Sequence, residues 1–135
     1  MRVVVDTNVI VSGLLKAGTP PAMVLNLVIS ETIRMIVNGA VLSEYETVLG
    51  RSKFGFDPEA IADLMSFIRH ESEHIVDTPA AKTTTDPDDQ VFYDIAVTGH
   101  ADYLITGNTA HFPDEKWIMT PRQFVEIFRD KPGSS

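Results

Sequence analysis

The chain has 135 residues, of which 44% are hydrophobic and 22% charged, a composition that fits one globular domain and excludes a disordered chain. It has no cysteine, which excludes disulfide scaffolds and thiolate metal sites. Its formal net charge of −8 argues against nucleic-acid binding through a basic surface, but not through carboxylates that hold divalent cations, because a bound cation reverses the local field. No stretch is long and apolar enough to span a bilayer. Met1-Arg2 followed at once by a strand lacks the layout of a secretory signal. The expectation is a cytoplasmic protein without a membrane segment.

In chain order, Val3-Val4-Val5 is a β-branched run without polar alternation, read as a short strand buried on both faces of a parallel sheet. It runs into Asp6-Thr7-Asn8, and Val9 to Leu15 is apolar enough for a helix packed on the sheet. Thr19-Pro20-Pro21 opens a second helix, with Thr as N-cap and Pro at the first position. Met23 to Ile29 is its apolar body, with Leu25, Val28 and Ile29 on one face. Ile33 to Val37 reads as a second strand, with Asn38-Gly39 as a turn. Ala40 to Leu49 reads as a third helix burying Val41, Tyr45, Val48 and Leu49. Arg51 to Phe56 is a basic and aromatic loop. Asp57-Pro58 opens a fourth helix, in which Ile61, Leu64, Met65 and Ile68 recur at helical spacing. Ile75-Val76 reads as a short strand, and Pro79 to Thr85 as a loop of small residues. After Asp86-Pro87-Asp88-Asp89, a helix covers Val91 to Val97. Tyr103 to Thr106 is a buried strand, and Trp117 to Met119 a last short one. Thr120-Pro121-Arg122-Gln123 is a capping box opening a helix with Phe124, Ile127 and Phe128. Residues 1–130 are expected to form the domain and 131–135 a frayed tail. Alternating short strands and helices imply a three-layer α/β fold with a parallel sheet.

Ligands of open parallel sheets bind at the carboxyl ends of the strands, which makes Asp6 the leading site residue. Glu44 in the third helix and the Asp86, Asp88 and Asp89 cluster are further acids, and Thr106-Gly107-Asn108 is polar after a buried strand. Each has a plainer role. Asp6 and Asp86 suit N-caps, Asp88 and Asp89 suit a helix dipole, Glu44 suits a solvated helix face, and Asn108 suits a turn. His111 reads as a structural loop histidine. Because the Asp86 helix leads into the Tyr103 strand, its start is expected at the edge opposite Asp6 unless the preceding loop crosses over. Hard oxygen donors without cysteine suit Mg²⁺ or Mn²⁺.

Val3 to Val9, Glu44 to Leu49, Asp86 to Asp89 and Ala101 to Asn108 occur in an order and spacing that resemble the PIN domain, in particular the branch of toxins of prokaryotic type II toxin–antitoxin pairs. The likeness runs from Arg2 to about Phe128. It implies a five-stranded parallel sheet flanked by helices, with the helix carrying the third acid starting near the carboxyl end of the first strand. It also implies a Mg²⁺- or Mn²⁺-dependent ribonuclease acting on single-stranded RNA. Carried over, Asp6, Glu44 and Asp89 are the catalytic acids and metal ligands, with Glu46 as the lesser candidate for the second. Asn108 stands where many relatives have a further Asp, as a neutral ligand that puts a second tightly held metal in question. Thr7, Asn8, Asp86 and Thr106 are supporting residues, and Arg51 and Lys53 phosphate contacts. A cognate antitoxin protein is the implied partner and a homodimer the implied assembly. Two other classes remain. A non-catalytic PIN-like binding module draws weight from Asn108. An aspartyl-phosphate phosphotransferase would also place an Asp at a strand end, but Asn8 stands where a haloacid-dehalogenase-like enzyme needs its second Asp, and no late lysine follows a buried strand.

Overall fold

A computed structural model describes residues 1–76 and 80–130, the side chain of Asp130 excepted. The expected tail at 131–135, and Pro79 of the expected small-residue loop, lie outside the described residues. β1 (Arg2–Val5) is the middle of a five-stranded sheet whose order is β3-β2-β1-β4-β5. Its neighbours are β2 (Arg34–Val37) and β4 (Tyr103–Ile105), with β3 (Glu73–His74) and β5 (Ile118–Met119) at the edges. Every pairing is parallel. Val3, Val4 and Val5 are each 0% exposed, which is what a strand between two layers requires. The helices α1 (Thr7–Leu15), α2 (Pro20–Ile29), α3 (Gly39–Leu49), α4 (Pro58–Glu71), α5 (Gln90–Thr98) and α6 (Pro121–Asp130) complete the three-layer α/β/α arrangement. None of the described helices is long and apolar enough to cross a membrane.

The register sets what meets at the carboxyl edge. Val5 lies opposite Ile105, so Asp6 and Thr106 leave the sheet side by side. The Asp6 N–H still donates to Ile105 O at 3.0 Å, and the Thr106 N–H to Met119 O at 3.0 Å. A polar residue then caps the next helix after each of three strands. Asp6 accepts from the Asn8 N–H, Asn38 from the Val41 N–H at 2.8 Å, and Thr120 from the Gln123 N–H at 3.2 Å. Asn38 is therefore the N-cap of α3 rather than a turn residue.

α5 corrects one expectation. Its last turn sits at the amino edge, where the Arg2 guanidinium donates to Gly99 O at 2.7 Å and to His100 O at 3.2 Å. Its start is therefore at the carboxyl edge, beside Asp6. A helix that feeds a parallel strand runs antiparallel to it, so no loop crossing is needed. β3 is a second correction. It spans Glu73–His74 and pairs with Ile36 and Val37, whereas Val76 is 90% exposed. The chain pairs with β2 as soon as α4 has ended, two residues earlier than the apolar Ile75-Val76 pair suggests. Ile29 and Ile127 are also displaced from their expected faces, at 51% and 41% exposure, while Leu25, Val28 and Phe124 are buried as expected.

α1 and α2 approach each other at Gly13. A Cβ there would lie 2.7 Å from Leu25 Cδ1 and 2.9 Å from Pro21 O. Gly13→Ala should gain about 1 kcal/mol of helix propensity but lose about 1–3 kcal/mol to overpacking against backbone that cannot yield. The expected net result is a lower Tm in thermal unfolding, and a higher Tm would contradict the close approach.

Candidate active site

Asp6 is buried, at 3% exposure, and both of its oxygens are held. Oδ2 accepts from Thr106 Oγ1–H at 2.7 Å and Oδ1 from the Asn8 N–H at 3.4 Å. Thr106 Oγ1 in turn accepts from the Asn108 N–H at 3.1 Å. Burial raises the Asp6 pKa above the usual carboxylate range against the pull of these donors and of nearby His111. Beside it, Thr7 Oγ1 is the one buried side-chain polar atom among the described residues without a hydrogen-bond partner.

Glu44 is half-buried on α3. Desolvation raises its pKa first, then the negative charge of Asp88, with a further push from Asp6, while Arg51 pulls it down. The helix is pinned next to it, because Tyr45 Oη–H donates to Val5 O at 2.5 Å. That bond ties α3 to the last residue of β1 and sets Glu44 on the side of Asp6. Glu46 turns away and pairs with Arg69 of α4. Asp89 is half-buried at the start of α5. Burial raises its pKa, and then the charges of Asp6 and Asp86, while His111 lowers it. His111 Nδ1 stands 3.3 Å from Asp89 Oδ2.

The Asp6 charge therefore reaches both Glu44 and Asp89, which stand on two other elements. Distances sort them more finely. Among the described residues, the group of three whose donor atoms all lie within 4.8 Å of one another is Asp86, Asp89 and His111. Asp6 and Glu44 stand outside that trio. Asp86 also caps the short 3-10 turn Pro87–Asp89 by accepting from the Asp88 N–H at 3.0 Å. Asn108 and Asn8 are exposed, and their backbone N–H groups serve Thr106 and Asp6. Arg51 is exposed within the field of Glu44. Lys53 instead lies over the Phe54 ring, 5.1 Å from its centroid.

The sequence reading took His111 for a structural loop histidine; its loop leaves the carboxyl end of β4, and that position was the available signal for a place beside Asp89. Gln90 and Asp94 were passed over. Ala80 N–H donates to Asp94 Oδ1 at 3.0 Å, Gln90 Nε2 to the same oxygen at 2.8 Å, and Thr84 N–H to Gln90 Oε1 at 2.9 Å. Together they fasten the stretch ahead of Asp86 to α5. A carboxylate buried within the apolar run Val91 to Val97 was the hint.

The donor set fits a hard divalent cation. It consists of carboxylates whose proton affinities are raised by burial and, for Glu44 and Asp89, by the Asp6 charge as well, with one orphaned hydroxyl beside the most buried of them and no sulfur. Thr106→Val keeps the shape but removes the hydroxyl that Asp6 and the Asn108 N–H share. It should cost about 1–3 kcal/mol of stability and about 10- to 100-fold in Mn²⁺ affinity, read by thermal unfolding and metal titration. Unchanged affinity would mean that Thr106 does not position Asp6.

Comparison with curated proteins gave no match, and comparison with solved structures gave none either. A family profile described as PIN domain matches residues 2–110. That span takes in β1 with Asp6, α3 with Glu44, the Asp86 to Asp89 block and the Thr106 edge. With this match over most of its length, on a parallel sheet that gathers those acids at its carboxyl end, the chain belongs to the PIN domain family, whose members are generally metal-dependent nucleases.

Proposed function

We propose that the chain is a metal-dependent endoribonuclease that hydrolyses phosphodiesters of single-stranded RNA, acting in the cytoplasm as the toxin of a toxin–antitoxin pair. The observation that carries this reading is the convergence at the carboxyl edge of Asp6 with Glu44 of α3 and Asp89 at the start of α5, both raised in pKa by burial and also by the Asp6 charge. Such a gathering of like charge is unfavourable unless a cation joins it.

Asp6, Glu44 and Asp89 would hold Mg²⁺ or Mn²⁺, with Asp86 and His111 adjoining and Asn108 as a neutral neighbour. The bound ion supplies an acidified water and neutralises charge on the phosphoryl oxygens. The protein's own part is placement. Thr106 and the Asn8 N–H fix the Asp6 carboxylate, and the Tyr45 bond to Val5 fixes α3 and with it Glu44. Gln90 and Asp94 fix the approach to Asp86 and Asp89. Arg51 offers positive charge next to Glu44 for the substrate's phosphate. The buried Thr7 hydroxyl is suited to a site water. Lys53 serves the strand from farther out along the same loop.

End-labelled single-stranded RNA, incubated with the purified chain in Mn²⁺ or in EDTA, tests the reading. Fragments that form in Mn²⁺ and not in EDTA are expected. Chelator-insensitive cleavage would refute the metal-dependent mechanism. Metal binding without cleavage would favour the non-catalytic binding module, for which the neutral Asn108 speaks. The proposed antitoxin would cover the carboxyl edge and suppress cleavage when added. The proposed homodimer draws on Leu15 and Ile29, 57% and 51% exposed on α1 and α2; a monomer by light scattering would refute it.

A further inference from the structure

A groove lies at the carboxyl edge, lined in part by residues that follow Asp6 and Thr106. It opens between α1, the start of α2 and the start of α6, with a volume of about 420 Å³. Asn8 and Gly107 line its inner end, one two residues beyond Asp6 and the other next to Thr106. Val9, Pro20 and Pro21 form its apolar wall, and Arg122 is the single charged residue in its lining among the described residues. Arg122 is exposed and engages no hydrogen bond or ion pair among the described residues. A larger cavity of about 780 Å³ is bordered by Tyr103, Lys116, Glu126 and Ile127, and its lining includes no chain neighbour of Asp6.

We propose that this groove seats one nucleotide of a single RNA strand next to the scissile phosphate, with the Arg122 guanidinium taking that nucleotide's phosphate. The proposal rests on the ribonuclease reading and adds the path of the substrate. Three observations support it. The groove is lined by Asn8 and Gly107, which follow Asp6 and Thr106 in the chain, so a strand whose phosphate reaches the acids has a concave surface close by to leave over. Its charge is complementary: in a chain of net charge −8, an unpaired arginine faces the space. It also lies at the positive end of the α6 dipole, which favours an anion. Finally, about 420 Å³ bordered by Val9, Pro20 and Pro21 is room for one ribose and base. Arginine is the side chain best matched to a phosphate, through its fork of donors.

The test is binding of fluorescein-labelled single-stranded RNA, in Ca²⁺ and over a salt series, to the wild-type chain, Arg122→Gln and Arg122→Glu. Loss of one phosphate contact should weaken binding about three- to tenfold and reduce the salt slope by about 0.7, with the larger loss for Arg122→Glu. Thermal unfolding should show no loss of stability, since an acid at the start of α6 suits the helix dipole. Equal affinities and slopes for the three proteins would overturn the subsite, as would undetectable binding by the wild type or an equal Arg122 effect on an RNA duplex. Tighter binding of the matching DNA strand would overturn the assignment to RNA. Cleavage of the same strand in Mn²⁺ is read separately. Cleavage with no Arg122 effect leaves the ribonuclease reading standing without the groove. Arg122-dependent binding without any cleavage keeps the groove and overturns the catalytic reading.

Discussion

Asp6→Asn will lower Mn²⁺-dependent cleavage of single-stranded RNA by about 10²–10³-fold or more, the scale seen when one preorganised electrostatic partner is removed from an active site. The fold will survive the change, for local reasons. Asn is as good an N-cap as Asp, so its carbonyl oxygen can still accept from the Asn8 N–H at the start of α1. Thr106 Oγ1 keeps a polar neighbour in place of Asp6 Oδ2. The buried side chain also no longer carries a charge that burial disfavours. Circular dichroism and Tm should match the wild type or exceed it in the absence of metal. Full metal-dependent activity in this variant would remove Asp6 from the chemistry.

Adding Mn²⁺ will raise the Tm of the wild-type chain, and Asp89→Asn will blunt that rise. A ligand bound only by the folded state contributes about 2.7 kcal/mol at one hundred times its Kd, roughly 10 °C for a domain of this size. The metal-free pH dependence runs the other way. The carboxyl groups of Asp6, Glu44 and Asp89 have folded pKa values raised above their ordinary ones, chiefly by burial. The folded chain therefore keeps protons that the unfolded chain has already released. Metal-free stability should fall as pH rises from the ordinary carboxylate range through these raised values. Metal should reverse this slope, because protons compete with it for the same oxygens. Asp89→Asn should be more stable than the wild type without metal and less stable with it, the trade-off expected where a site is held ready at the expense of the fold. A metal-free wild type whose stability climbs with pH through that range would contradict the raised carboxyl pKa values.

The sheet was legible because a strand buried on both faces cannot alternate, so Val3-Val4-Val5 and Tyr103-Leu104-Ile105 declare themselves by β-branched and apolar runs. Helix starts were legible through Thr19-Pro20, Asp57-Pro58 and Thr120-Pro121, where cap and proline chemistry is local. β3 was not, because a two-residue edge strand is made by its partner β2 and carries no period of its own. The choice between Glu44 and Glu46 is a matter of helix phase, and the Tyr45 bond to Val5 fixes that phase across 40 positions of sequence. The place of His111 beside Asp89, and that of Gln90, was not legible for the same reason. Each acts through contacts with a loop whose path no local pattern specifies. The start of α5 is a different lesson. Its position follows from the antiparallel run of a connecting helix, and topology alone was sufficient to place it.

The central claim is that carboxylates from β1, α3 and α5 share one cation. Anomalous scattering from crystals grown with Mn²⁺ reads this directly. The expected result is one ion at about 2.1 Å from carboxylate oxygens of Asp6 and Asp89, with Glu44 reaching it directly or through a water. An ion held by Asp86, Asp89 and His111 alone, with Asp6 and Glu44 unengaged, would contradict it.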